Sequence, residues 1–297
     1  MHKINDPHAQ DVCDRGEVRR RQKRFWAITT MSNQYLPPEL LDTITDFLHD
    51  SRHALKNCCL VSKSWVPRTR KYLFANIEFR TAGDVESWKS TFPDPFTSPA
   101  RYTKTLSIKS PWAAGVASVE EGRWIRSFSQ VVHLKMNFRG VAADESTYSL
   151  FPFHGFSPAI KSLRLVYTAS PLPLILSLIY SFPHLEDLCV IHPTDRSDRI
   201  NNGFDRQPPA VQYLNPPAFT GSLELHGVNG IAAQLLSLSS GLHFRKLYLR
   251  WDEEGDVLST TLLVESCCST LEYLSIDSGT YGMSTAYPYL RWWLNCA

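Results

Sequence analysis

The chain of 297 residues lacks three short motifs that commonly mark enzymes. It has no GxSxG nucleophile elbow, no GxxxxGK[ST] phosphate loop and no GxGxxG dinucleotide fingerprint. No CxxC or CxxxC spacing occurs among its seven cysteines, and two pairs are vicinal, Cys58-Cys59 and Cys267-Cys268. Vicinal thiols suit an ordinary structural bridge poorly, so the cysteines read as small apolar residues in a reducing compartment rather than as a secreted framework. Long apolar runs are absent too. The most apolar segment, Leu172 to Phe182, is too short for a bilayer and is opened by Pro171 and Pro173. No apolar leader follows the start, and the penultimate Cys296 excludes prenylation. The expectation is a soluble, cytoplasmic or nuclear protein without a membrane partner. Net charge is only +2, so no global field draws the chain to nucleic acid.

What charge excess there is lies at the start. Residues 1–30 hold seven Lys and Arg against four Asp and Glu, an excess of three that leaves the remainder near −1. The run Arg19-Arg20-Arg21-Gln22-Lys23-Arg24 fits either a nuclear-import signal or a solvated tail, and residues 1–33 are expected to be a disordered basic tail. Met31, just before the first patterned segment, is read as a natural start.

From Tyr35 the pattern becomes helical. Pro37 and Pro38 impose an extended lead-in, after which Leu40, Leu41, Ile44, Phe47 and Leu48 fall on one helix face. Asp50 or Ser51 can cap a second helix carrying Leu55, Cys58, Cys59 and Val61; Trp65 closes it, and Pro67 starts a short third one. Three short helices bury little by themselves, so the module needs a partner or the segment that follows it. Residues 81–100, with Gly83, Pro93, Pro95 and Pro99, read as a connector with one helical turn around Val85 to Trp88.

Beyond residue 101 a short pattern, apolar-x-x-Leu-x-apolar, recurs seven times. Its middle leucines are Leu106, Leu134, Leu163, Leu188, Leu223, Leu247 and Leu274, separated by 28, 29, 25, 35, 24 and 27 residues. Five copies fit in full; the first and fifth carry Thr103 and Thr220 at the leading position. Apolar-x-apolar is the alternation of a strand with one buried face, and a step near 24–29 residues is the period of leucine-rich repeats. Return helices are expected over Val119 to Phe128, Leu172 to Tyr180, Ile231 to Leu238 and Val257 to Ser266, with an insertion loop from Asp195 to Pro217. The Asn that closes the turn of regular repeats is missing, so the array is irregular. Residues 101–297 are read as this repeat domain, incomplete at its C-terminal end because no polar cap is evident.

Leu36-Pro-Pro-Glu-Leu40, then Ile44, Phe47-Leu48, Leu55, and Cys58-Cys59-Leu60-Val61-Ser62-Lys63-Ser64-Trp65 together resemble an F-box, over roughly Tyr35 to Phe79 within a module at 34–80. The remainder is similar to the C-terminal parts of F-box proteins abundant in mushroom-forming (basidiomycete) fungi, on Gly241 to Leu249, Leu262 to Cys267 and Ser269 to Leu274. The implied fold is α/β: a three-helix F-box module followed by an irregular leucine-rich-repeat-like solenoid, a parallel strand ladder with return helices and loops. The implied function is a non-enzymatic substrate receptor of an SCF-type cullin-RING ubiquitin ligase. The F-box would bind a Skp-type adaptor, the repeats an unknown protein target, with no cofactor or metal. The alternative is an interaction scaffold without a ligase role. By resemblance Leu36, Pro37, Leu40, Ile44, Leu48, Leu55, Val61 and Trp65 bind the adaptor or form the module's core. For Ile44, Val61 and Trp65, simply holding the helices together is an equal reading.

Three other constellations are weaker. His49 and His53 stand four apart, but without the Glu of HExxH and with a helix boundary between them they read as a surface pair. Asp252-Glu253-Glu254 with Asp256 reads as a solvated turn. Trp112, Trp124, Trp251, Trp292 and Trp293 could stack bases, but no basic stripe accompanies them. Residues 81–297 are therefore expected to show no nucleic-acid binding at low salt in a fluorescence-anisotropy titration; binding with a steep salt dependence would reverse that reading.

Overall fold

The structure, a computed structural model, describes residues 36–109, 122–138, 156, 159–167, 172–192, 217, 219–227, 229–238, 241–250 and 256–277. The basic run, Met31, the acidic cluster Asp252 to Glu254, the insertion up to Asn215 and the C-terminal residues read as lacking a cap lie outside them. Among the described residues no helix is long and apolar enough to cross a membrane. The chain divides into two compact units, Met1–Ala54 and Leu55–Ala297.

In the first unit, α1 (Pro38–Phe47) begins with proline in its first turn, where a missing N–H costs nothing. The Ser51 hydroxyl then accepts the Ala54 N–H at 3.3 Å, capping α2 (Arg52–Val61) as its position predicts.

The second unit is built on one sheet of eight strands, all parallel and in sequence order. They are β1 (Asn76–Phe79), β2 (Thr105–Lys109), β3 (His133–Phe138), β4 (Ser162–Tyr167), β5 (Asp187–Ile191), β6 (Ser222–His226), β7 (Lys246–Arg250) and β8 (Tyr273–Asp277). Eight α-helices are formed among the described residues: after α1 and α2 come α3 (Val66–Leu73), α4 (Ala82–Thr91), α5 (Gly122–Arg126), α6 (Leu172–Tyr180), α7 (Asn229–Leu236) and α8 (Asp256–Cys267). The class is α/β, and the strictly sequential parallel order is compatible with a solenoid.

Register follows the pattern residue for residue. Leu106, Leu134, Leu163, Leu188, Leu223, Leu247 and Leu274 are mutual partners across the sheet, and all but the half-buried Leu274 are at most 1% exposed. Two residues on, Ile108, Met136, Leu165, Val190, Leu225 and Leu249 make a second buried column. Each copy hides these residues only because its neighbour covers them.

At each strand start one backbone carbonyl holds the next copy. The Lys104 carbonyl accepts the N–H groups of Val132 and His133 at 2.9 and 3.0 Å; Val132 does the same for Lys161 and Ser162, Lys161 for Glu186 and Asp187, and Arg245 for Glu272 and Tyr273. The junction after the longest step departs from the rule. There the Glu186 carbonyl accepts only Gly221 N–H, and Ser222 N–H is taken by the Asp187 carboxylate at 2.7 Å, which also accepts the Ser222 hydroxyl.

Three features differ from the sequence expectations. Asn76–Phe79 is a strand paired with β2, an additional copy in which Ile77 stands where the others have leucine. Residues 81–100 hold the ten-residue helix α4, not a single turn. Thr81 Oγ1 accepts Asp84 N–H while Asp84 Oδ2 accepts the N–H groups of Thr81 and Arg80, a capping box that starts a helix of little amphipathic character. In the fifth copy Thr220 is exposed and Phe219 fills the core slot instead. Phe219 reaches it through a left-handed backbone, φ 43, and its ring lies 5.2 Å from that of Phe244, the next copy's leading residue. The expected return helices form at α5, α6, α7 and α8. Trp124, a candidate stacking residue, packs instead with Phe79 and Phe128 at 5.6 and 5.9 Å; the other four candidate tryptophans lie outside the described residues.

The Asp187 junction leaves no room at Gly221. A methyl there would lie 2.5 Å from Asp187 Oδ1 and 3.0 Å from the Glu186 carbonyl oxygen. Gly221→Ala should therefore lose about 1–3 kcal/mol in urea unfolding. Combined with Asp187→Ala the losses should be less than additive, because removing the carboxylate relieves the closest contact.

Candidate partner-binding surfaces

Each unit presents a surface its own packing leaves open. In the first, the apolar arc Leu40, Leu41, Ile44, Phe47 and Leu48 spans roughly 120° of the helix circumference, taking about 100° per residue, with Thr45 just beyond it. One edge of that arc is used within the chain: Leu41 and Thr45 are buried, Leu48 is half-buried, and the Thr45 hydroxyl donates to the Leu41 carbonyl at 2.6 Å. The other edge faces solvent. Leu40 is 50% exposed, Ile44 38% and Phe47 90%, and the stripe continues N-terminally with exposed Leu36 and Pro37. Glu39, Asp42, Thr43 and Asp46 form the polar remainder of the helix. Monomers carry isolated exposed apolar residues routinely, and a contiguous stripe bounded by polar ones is a candidate docking face.

The second unit divides the remaining proposed residues. Leu55 is 1% exposed and belongs to the core, whereas Val61 is exposed beside Leu60, at 86%. Trp65 is half-buried, and its carbonyl accepts both the N–H and the hydroxyl of the buried Thr69, each at 2.9 Å. The Cys59 thiol lies 2.8 Å from that same hydroxyl, which ties α2 to α3 and gives the cysteine a packing role. Phe47 extends the apolar stripe of α1 although the residue set above omits it; it shares an angular position with Leu40, so the wheel alone could have found it.

The outward side of the strand ladder is the other open surface. Thr105, His133, Lys135, Ser162, Arg164 and Glu224 are among the residues lining a depression of about 420 Å³ across β2 to β7. Arg164 reaches over Cys189 to Glu224 at 3.7 Å, and Glu224 also meets His226 at 3.1 Å. Farther along, Tyr248 and Tyr273 stack with ring centres 5.2 Å apart. Comparison of the chain with protein-family models, curated proteins and solved structures gives no match. Its surfaces must speak for themselves.

Of the weaker constellations, His49 bonds the Asp46 carbonyl at 2.6 Å in the turn after α1 while His53 lies within α2, so a helix boundary does separate them. No group of three or more His, Cys, Asp or Glu able to hold a metal occurs among the described residues. Cys189, central in the depression, has its thiol pushed up to about 12, first by burial and then by the Glu224 carboxylate. A thiol so raised stays protonated at neutral pH and is a poor nucleophile. Iodoacetamide at pH 7 should therefore label exposed Cys268 well before Cys189, read by peptide mass spectrometry. Glu224→Gln should speed Cys189 labelling, since removing the anion lowers the pKa.

The two edges of α1 make opposite predictions. Phe47→Asp should change stability by no more than about 0.5 kcal/mol. Leu41→Ala should cost about 2–5 kcal/mol, read as lost amide protection along α1 in hydrogen exchange.

Proposed function

We propose that this chain is an F-box protein, the substrate-receptor subunit of an SCF-type cullin-RING ubiquitin ligase. The observation that carries the reading is the exposed apolar stripe Leu40, Ile44 and Phe47 on a short, proline-started helix, continued by Leu36 just before it, in the segment whose residue order resembles an F-box. Such a stripe suits a helix-in-groove contact, with leucine and phenylalanine as anchors and Pro37 limiting the conformations lost on binding. The partner of that contact is a Skp-type adaptor, through which cullin and RING subunits join.

The second unit supports the other half. A parallel ladder in sequence order, with an irregular leucine-rich-repeat period, gives a broad outward face that holds a protein target. The chain contributes proximity: it raises the local concentration of that target near a ubiquitin-charged enzyme, and bond formation takes place on other subunits.

Co-purification tests both steps. The full chain should bring down the Skp-type adaptor and, through it, the cullin. Leu40→Asp combined with Phe47→Asp should weaken adaptor binding more than about 100-fold in calorimetry, as the loss of two anchors implies. Full binding by that variant would sink the assignment of the stripe. An adaptor complex that never recruits cullin would remove the ligase role and leave the interaction scaffold.

A further inference from the structure

The outward face is not uniformly mixed in charge. From β2 to β4 its residues are Thr105, Ser107 and Lys109, then His133, Lys135 and Asn137, then Ser162, Arg164 and Val166, with no carboxylate among them. The carboxylates on the face lie on flanking strands, and each is engaged. Glu78 meets Arg80 and Lys109, Asp187 holds Ser222, Glu224 holds Arg164 and His226, and Asp277 meets Arg250. Among the described residues, the strand face leaves two cations without an ion pair, Lys135 and Lys246, and only Lys135 lines the depression. Its cross-strand neighbours are Ser107 and Arg164. His133, two residues before it, points to the same side.

The backbone groups of β2 to β7 pair with a strand on either side, so a ligand over the depression cannot be held by adding a strand. Recognition must come from side chains. At about 4.8 Å per strand, the four strand steps from β3 to β7 place Tyr248 roughly 19 Å from Lys135, the span of about six extended residues.

Resting on the target-capture reading, we propose that this face binds an extended acidic peptide segment of the target. Its carboxylate lies at Lys135, beside Arg164 and His133, and an aromatic or branched apolar side chain five or six residues away lies against Tyr248 and Tyr273. Charge complementarity selects this occupant. Lys135 is the unmatched cation of the depression, and a basic segment would face Arg164 and Lys135 with no free carboxylate to receive it.

A phage-displayed library of random decapeptides, selected on the full chain, tests this. Enrichment of Asp or Glu, with an aromatic or branched apolar residue five or six positions away, is the expected result. Lys135→Glu should weaken the selected peptides by more than about tenfold and turn selection toward Lys and Arg. Lys56→Glu on α2, an equal change in net charge, should leave affinity within about twofold, and all three proteins should melt alike because both lysines are exposed. Enriched peptides without an acid, or insensitive to Lys135→Glu but lost on Tyr248→Ala, would overturn the acidic-segment proposal and leave target capture by this face standing. No enrichment on any of the proteins would overturn both.

Discussion

Everything on the strand face depends on how one copy is locked to the next. At every junction but β5–β6, a backbone carbonyl just before one strand accepts two N–H groups from the following copy, which fixes where the first residues of the next strand pair. A slip of one residue would exchange the buried columns with Lys135, Arg164 and Glu224, burying charge and exposing leucine at the same time. The lock therefore sets which residues form the core and which face outward. The β5–β6 junction shows that the constraint is real. After a step of 35 residues the lock loses one of its two bonds, and the Asp187 carboxylate supplies the missing acceptor. The substitution has its own requirement, a glycine at 221, because the carboxylate occupies the space a side chain would need.

Much of this was legible in the sequence because a stacked copy cannot hide its own apolar residues, and the stacking partner's spacing is written into the chain. The seven leucines predicted strand centres that pair in register, and Leu172 to Tyr180 is helical over the span expected. What was missed has specific causes. Phe74-x-x-Ile77-x-Phe79 obeys the repeat pattern with isoleucine for leucine, but it lies against helical segments that drew it into the preceding module. Helix α4 buries only Val85 and half-buries Trp88, so no hydrophobic period advertises it; its signal was Thr81 with Asp84, a pair read for capping and not for apolar spacing. Phe219 escaped because a left-handed residue moves the side chain by one position, which no periodic template allows.

The candidate surfaces were less legible than the fold. A helical wheel groups Leu40, Leu41, Ile44, Phe47 and Leu48 as one face, yet the chain buries one edge of it and exposes the other. Periodicity reports that an arc is apolar, without saying how much of it the protein itself covers. Leu55 illustrates the same limit: in sequence it resembles Leu40, and only packing separates the 1% exposed core residue from the half-exposed one.

The two open surfaces also differ in the chemistry they can use. The α1 stripe is apolar and bordered by acids, so any contact it made would draw on desolvation and depend little on salt. On the strand face the carboxylates are already engaged by Lys109, Arg164, His226, Arg250 and Ser222. An added partner gains most where a charge is still unmatched and where apolar surface remains, which are the places of Lys135 and of the Tyr248–Tyr273 pair. In the proposed reading the two surfaces divide the labour: the first would suit one constant partner held by shape, the second a charged segment chosen by spacing. That division follows from the residues left over once each unit has satisfied its own core, and it is the physical basis for assigning them different partners.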